Sequence, residues 1–367
     1  MKNTPIIAIG CLLLSTSWSH AQAGQDRGGG RGIVCRDSNN KIKSISLLDY
    51  FEAQNAMSLT IDLGPQNSYQ EKLQFVLNRL EQTDQVFAKK IKSEVSDFMQ
   101  STTFVEDVDL EVVNDSTSSV KPPKGCSEEQ MGVNKVNPLP FQKNYLIRRS
   151  LWESADASTK AGLILHEVIY RYARKIGEAT SDHARYYNAL ISSSNMKNLS
   201  TAQYTQALQQ IGWLKGIGYT DGGCSSDFSV FVNAVPYFLG CDLTVYNDHS
   251  VYRGAPVGPQ VFQSPIGPLK VGDHQFVGFN PSNILVVGSL ASETILPLGA
   301  QMISLPAGTS FFFNENGRIK QVQLGGGLHL SLSHASGNKV VSLDKYDILY
   351  VCGDGDLSLS ESNCDRR

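Results

Sequence analysis

The stretch AGLILHEVIYRYAR, residues 161–174, carries its apolar residues at helical spacing. Ala161, Leu165, Val168, Ile169, Tyr172 and, just beyond it, Ile176 fall on one stripe of a helical wheel, with His166 on its flank. Glu167 and Arg171 stand four apart in the order that favours an ion pair, which contributes about 0.2–0.5 kcal/mol where exposed. The pattern predicts a helix over 157–176, followed by helices over 181–193 and 201–213. Thr180 or Ser181 is placed to cap the second helix, and Asp182 suits the positive end of its dipole.

Working outward, GIVCRDSNNKIKSISLLDYFEA reads as strand, turn at Ser38-Asn39-Asn40, strand and helix start. SYQEKLQFVLNRLEQ and DQVFAKKIKSEVSDFM show helical spacing through Leu73, Val76, Leu77 and Leu80, then Val86, Phe87, Ile91, Val95 and Phe98. TFVEDVDLEVV alternates as a half-buried strand does, and NYLIRRSLW reads as a short strand. Near residue 216, marked by GIGYTDGG, helical periodicity gives way to short apolar runs between turn clusters. The expected fold class is α+β. A mainly helical domain over 24–215 precedes a β-hairpin-rich, repeat-like domain over 216–367.

Within that second part, VGDHQFVGFNPSNILVVGSL (271–290) and LPAGTSFFFNENGRIKQVQL (305–324) align at an offset of 34 residues. Val271, Phe279 and Leu290 map onto Leu305, Phe313 and Leu324. Each unit reads strand, turn, strand, with Pro281-Ser282-Asn283 or Glu315-Asn316-Gly317 at the tip. A looser copy starts at Phe238, and LHLSLSHASGNKVVSL reads as a later hairpin turning at Gly337-Asn338. AGTSFFFNENGRIKQVQL resembles the short hairpin repeats of bacterial MORN-like and YwqK-like families. That resemblance covers about 20 residues clearly and implies stacked hairpins, each burying its apolar face against the next, with no particular activity.

The helix at 161–174 is also similar to the metal-binding helix of zincin peptidases, in which H-E-x-x-H supplies two zinc ligands one turn apart and a glutamate base. His166 and Glu167 match. The second ligand position holds Tyr170, a phenol whose ordinary pKa near ~10 keeps it neutral, and the later metzincin position holds Ile176. Replacement ligands would have to come from Asp182 or His183. A purely structural reading instead makes the helix a core element with His166 and Tyr170 in contact at its edge. The longer stretch LILHEVIYRYARKIGEATSDHARYYNALI resembles exported proteins of environmental proteobacteria, predatory ones included, which carry no established activity. It draws attention to a polar cluster of His166, Glu167, Tyr170, Arg171, Asp182, His183 and Arg185.

Lys2, the apolar run PIIAIGCLLLSTSW and Ala21-Gln22-Ala23 read as an export signal over 1–23. The expected location is secreted or periplasmic, with lipid anchoring through Cys11 as the alternative. Without Cys11, six of the seven cysteines remain: Cys35, Cys126, Cys224, Cys241, Cys352 and Cys364. An even count in an exported chain suggests disulfides, Cys35 with Cys126 in the first half and the other four within the second. A formal net charge of −3 offers no field for nucleic acid. RGGGRG at 27–32 reads as a flexible leader to the mature chain, and CGDGDLSLSES at 352–362 as a flexible acidic tail rather than a calcium loop. No cofactor, no metal and no transmembrane segment after processing are expected, and the partner is an unidentified envelope or extracellular one. The leading expectation is a non-enzymatic envelope or extracellular binding or structural module. The alternative is a metal-dependent peptidase or peptidoglycan hydrolase built on His166 and Glu167.

Overall fold

The structure, a computed structural model, describes residues 26–106, 120–135, 142–214, 218–220, 223–246, 250–334 and 337–364, with 110, 118 and 138 between them. The export signal expected over 1–23 and Cys11 lie outside the described residues. The chain is α+β.

The first half runs β1 (Asp26–Arg27), β2 (Arg31–Arg36), β3 (Ile42–Leu47), α1 (Leu48–Asn55), α2 (Tyr69–Thr83), α3 (Gln85–Asp97), β4 (Thr102–Val105), β5 (Cys126–Gln130), β6 (Gly132–Lys135) and β7 (Tyr145–Arg148). It continues with α4 (Arg149–Ser154), α5 (Ala157–Lys175), α6 (Asp182–Ile191) and α7 (Thr201–Gln210). NYLIRRSLW is thus half strand and half helix: the chain turns helical at Arg149, which buries Leu151 and Trp152. Of TFVEDVDLEVV, strand pairing covers Thr102–Val105, and most of the remainder lies outside the described residues.

The strands form two small sheets, β3-β2-β5 and β1-β6-β7-β4. α5 runs beside both, and its burial extends well beyond the single stripe that the spacing marked. Leu163, Ile164, His166, Glu167 and Tyr170 are all within 1 % of full burial. The cluster around α5 also takes in Phe228, Val230 and Leu239 from the segment that follows β8 (Gly218–Thr220) and β9 (Gly223–Ser225).

Beyond that point the strands are β10 (Ser229–Val232), β11 (Val235–Phe238), β12 (Thr244–Val245), β13 (Val251–Gly254), β14 (Gln260–Ser264), β15 (Gly267–Val271), β16 (Val277–Phe279) and β17 (Leu285–Ser289). After them come β18 (Thr294–Leu298), β19 (Gln301–Leu305), β20 (Ser310–Phe313), β21 (Ile319–Gln323), β22 (Leu328–His334), β23 (Gly337–Leu343), β24 (Ile348–Val351), β25 (Leu357–Ser358) and the short α8 (Glu361–Cys364). An eight-stranded antiparallel sheet has the order β12-β13-β16-β17-β20-β21-β24-β25. Between its successive pairs the chain leaves to make the separate hairpins β14-β15, β18-β19 and β22-β23. These hairpins form a second layer. Phe262, Leu269, Leu296, Ile303 and Leu330 from the hairpins share one core with Phe279, Leu285, Phe311, Val322 and Leu349 from the sheet.

The turns of the sheet share one hydrogen-bond pattern. Asn280 N donates to Ile284 O at 3.0 Å, Asn314 N to Arg318 O at 2.8 Å, Tyr246 N to Ser250 O at 2.8 Å and Cys352 N to Asp356 O at 2.9 Å. The Asn280 and Asn314 side chains each accept two further backbone amides within their own turns, and the left-handed position is filled by Asn283 or Gly317. The first three turns are spaced by 34 residues. The last follows by 38, because β22 and β23 have seven residues each where β18 and β19 have five.

Two expectations are corrected here. Residues 352–362 are not a loose tail but the last turn of this series with β25, closed by a Cys352–Cys364 disulfide. Gly337 and Asn338 are paired strand residues opposite His334 and Ser333, so the tip of that hairpin is 335–336, outside the described residues. The other disulfides are Cys35–Cys126, bridging facing residues of β2 and β5, and Cys224–Cys241.

One buried carboxylate ties the two halves together. Asp84 caps α3 by accepting Phe87 N at 2.9 Å, and also accepts Ser229 N and Oγ, both at 3.0 Å, from β10. Its second oxygen accepts the Tyr204 hydroxyl at 2.9 Å, which meets that of Tyr187 at 2.7 Å. Burial disfavours the charged form and, against those donors, pushes Asp84 up to about 7. A raised carboxylate stabilises the fold fully below its unfolded pKa and loses that contribution as pH rises through the folded one. Urea denaturation is therefore expected to show wild-type stability falling between about pH 4 and pH 8, with Asp84→Asn removing the part of that slope below about pH 7.

Candidate functional site

The histidine and glutamate of α5 lie side by side in the interior, and neither has any access to water. The His166 ring faces Asp49, in the first turn of α1, with Nδ1 at 2.9 and 3.1 Å from its two oxygens. An ionised carboxylate only accepts, so Nδ1 carries the proton. Asp49 Oδ2 also accepts Asn188 Nδ2 of α6 at 2.7 Å, and the same amide donates to Gly162 O at 3.0 Å. Burial pulls the His166 pKa down, but the charge and hydrogen bond of Asp49, joined by the charge of Glu167, outweigh it and hold it above its ordinary value. Its Nε2 is buried without a hydrogen-bond partner.

Glu167 points the other way, into the strands. Its Oε1 accepts Gly30 N at 2.6 Å and its Oε2 accepts Asn134 Nδ2 of β6 at 2.5 Å. Asn134 Nδ2 also reaches the main-chain carbonyl of Glu167 at 3.1 Å. The anticipated Glu167–Arg171 pair is absent for this reason: the carboxylate is sealed inside, while Arg171 stays near the surface, 3.9 Å from Glu94 and over the Tyr145 ring.

The glycines at 28–30 explain how the chain comes so close. A Cβ at Gly28 would lie 2.5 Å from the Tyr170 hydroxyl, one at Gly29 2.2 Å from Gly132 O, and one at Gly30 2.2 Å from Leu163 Cδ1. Residues 28–32 of RGGGRG are therefore a buried segment threaded between α5 and β6, and the reading as a flexible leader is corrected. Tyr170 packs against this segment, with its ring centroid 6.0 Å from that of His166.

The remaining expected residues belong to a neighbouring ion cluster. Arg185 donates through Nε to Glu52 Oε2 of α1 at 2.9 Å and through Nη1 to Ser181 Oγ at 3.0 Å, and it also pairs with Asp182. Burial raises the Glu52 carboxyl above its usual range against the lowering charge of Arg185. Ser181 stands at the N-cap of α6 without a capping side-chain bond. His183 is 42 % exposed, with Nδ1 3.1 Å from Glu178 Oε1. Asp182 and His183 thus do not complete a ligand shell for His166: their partners lie on their own helix and the loop before it. Among the described residues no three His, Cys, Asp or Glu side chains converge as a metal site requires. No family model, curated protein or solved structure matches the chain.

Sequence reasoning missed Asp49, Glu52, Asn134, Asn188 and the role of the three glycines. The available signal was local: Asp49 and Glu52 lie three apart in LLDYFEA, on one face of a short helix otherwise built to be buried.

Chemically, the arrangement can anchor α5 to the strands and helices around it. Glu167→Ala leaves two buried donors unanswered and is expected to cost roughly 3 kcal/mol, with Glu167→Gln losing less because one acceptor survives. Gly30→Ala forces a methyl into Leu163 and is expected to cost about 1–3 kcal/mol. Chemical denaturation of the purified variants checks both.

Proposed function

We propose that this chain is a non-enzymatic binding or structural module of the cell envelope or extracellular space. The observation that carries the reading is the state of Glu167: a general base must reach a water or substrate proton, and both oxygens of this carboxylate are spent on buried donors. Three disulfides favour an oxidising compartment, and among the described residues no helix is long and apolar enough to cross a membrane. On this reading 24–215 is a mainly helical domain. The 216–367 part is a stack of MORN-like hairpins, and the helix resembles that of the exported proteobacterial proteins.

The contact region is assigned to the outer face of the eight-stranded sheet. There a groove of about 400 Å³ is lined by Tyr252, Arg253, Phe276, Val287 and Phe312, with the hydroxyls of Ser289 and Ser310 bonded to each other at 2.8 Å. The Arg253 guanidinium lies 4.8 Å over the Phe276 ring. Aromatic surface with a few polar groups is the usual make-up of a recognition site.

A second reading, a metal-dependent hydrolase with His166 as ligand, is favoured by one observation. A histidine oriented through Nδ1 by a carboxylate, with Nε2 unspent, is how proteins prepare metal ligands. Elemental analysis of the purified, disulfide-bonded protein separates the two. The binding-module reading expects no stoichiometric metal, and His166→Ala to change stability alone. About one zinc per chain, lost in His166→Ala, overturns it. Tyr252→Ala and Phe312→Ala are expected to weaken co-sedimentation of the protein with isolated envelope fragments.

A further inference from the structure

The hairpin layer has an outward face as well as the inward one that seals the core. Among the described residues, the four most exposed large hydrophobic side chains are Val261, Ile295, Met302 and Val340, at 62, 63, 67 and 74 %. All four are on that outward face. Val261 in β14 and Ile295 in β18 hold the same place in successive hairpins, 34 residues apart, each one residue before a buried Phe262 or Leu296. Met302 in β19 and Val340 in β23 likewise stand three residues before Leu305 and Leu343, which end those strands. Every hairpin thus displays an apolar residue at a position where strand alternation puts a polar one on a solvated surface. Four such residues on one face form a patch, unlike scattered exposed hydrophobics.

We infer that this face is a self-association surface, on which a second copy of the chain packs hairpin layer to hairpin layer about a two-fold axis.

Charge selects that occupant. The cross-strand neighbours of the apolar residues are Lys270 opposite Val261, Ser304 opposite Ile295 and Pro297 opposite Met302. Among the described residues of these six strands there is no carboxylate. The Glu293 carboxylate, just before β18, accepts the Ser304 hydroxyl on this face, so a basic partner finds a single acid there, and Lys270 and Lys339, the only lysines of the six strands, are a poor match for an anionic lipid surface, which takes a cluster of cations. An apolar face whose few charges are of both signs meets its own copy without net repulsion, as a two-fold interface must, and flat β-layers stack about 10 Å apart.

Size sets the strength. Within each separate hairpin two strands lie about 4.8 Å apart, and with five-residue strands in two hairpins and seven-residue strands in the third the three together cover about 600 Å² per copy. That lies near the lower limit for a specific interface and corresponds to a dimer that exchanges, with a dissociation constant in the micromolar range. The grooves of the eight-stranded sheets lie on the opposite faces and stay open, so the dimer presents two of them facing apart.

Sedimentation velocity on the oxidised full-length mature protein, from about 1 to 100 μM, tests the inference. A reversible monomer–dimer equilibrium little affected by salt is expected. Ile295→Lys with Met302→Lys should weaken dimerisation by more than about tenfold with circular dichroism and melting temperature unchanged, and Val245→Lys, on the other layer, should leave it intact. The Ile295→Ser, Met302→Ser pair repeats the measurement should the lysines disturb folding. The inference is overturned by a protein that stays monomeric at 100 μM, or by a dimer indifferent to both pairs of substitutions. A monomer that instead binds vesicles of anionic phospholipid through Ile295 and Met302 overturns it too.

Discussion

A carboxylate without access to water needs its charge answered by the groups that touch it. At Glu167 those include the Gly30 amide and the Asn134 side chain. Satisfying them fixes three things at once: the angle of α5, the path of the chain from β1 into β2, and the seat of β6. The triglycine is what lets the backbone approach closely enough, since any side chain there meets α5 or the main chain of Gly132. On the neighbouring position of the helix, His166 performs the same service toward α1 and α6 through Asp49 and Asn188. Adjacent helix positions point about 100° apart, so a histidine–glutamate pair can pin a helix to two different neighbours. In a zincin the same two side chains share a single task. One turn on from His166, this helix supplies a phenol, Tyr170, that packs on Gly28.

The local features of this molecule were readable in the sequence, and the distant ones were not. Leu73, Val76, Leu77 and Leu80 mark α2 by spacing, and Ser38-Asn39-Asn40 mark the turn between β2 and β3. The turns at Asn280 and Asn314 carry their own chemistry, because the asparagine closes its turn from within. By contrast, Asp49 lies 117 residues from His166 and Gly30 lies 137 from Glu167, so no periodicity connects them. The hairpins β14-β15 and β18-β19 went unread for another reason. Their strands are five residues long and contain Pro268 and Pro297, which weaken any strand signal, although both prolines sit where an outward strand tolerates them.

The acidic run near the C-terminus shows how composition misleads when topology decides. Asp354, Asp356 and the glycines around them look like a solvated tail. Pairing of β24 with β25 and the Cys352–Cys364 bridge instead make them the end of an ordered sheet. The exposed edge of an antiparallel sheet invites further pairing, and a short last strand with α8 beside it limits that exposure.

The unequal spacing of the turns has a consequence for how such a chain changes over evolutionary time. Four extra residues lie between the third and fourth turns while the pairing of the main sheet continues, because they lengthen a hairpin that projects from it. Whole modules could likewise be duplicated or deleted in frame, extending or trimming the array while α5 and its glycine strand remain untouched. Length variation among descendants of this gene would then concentrate in multiples of one module and at hairpin tips, and the cystine at the far end would travel with whichever module comes last.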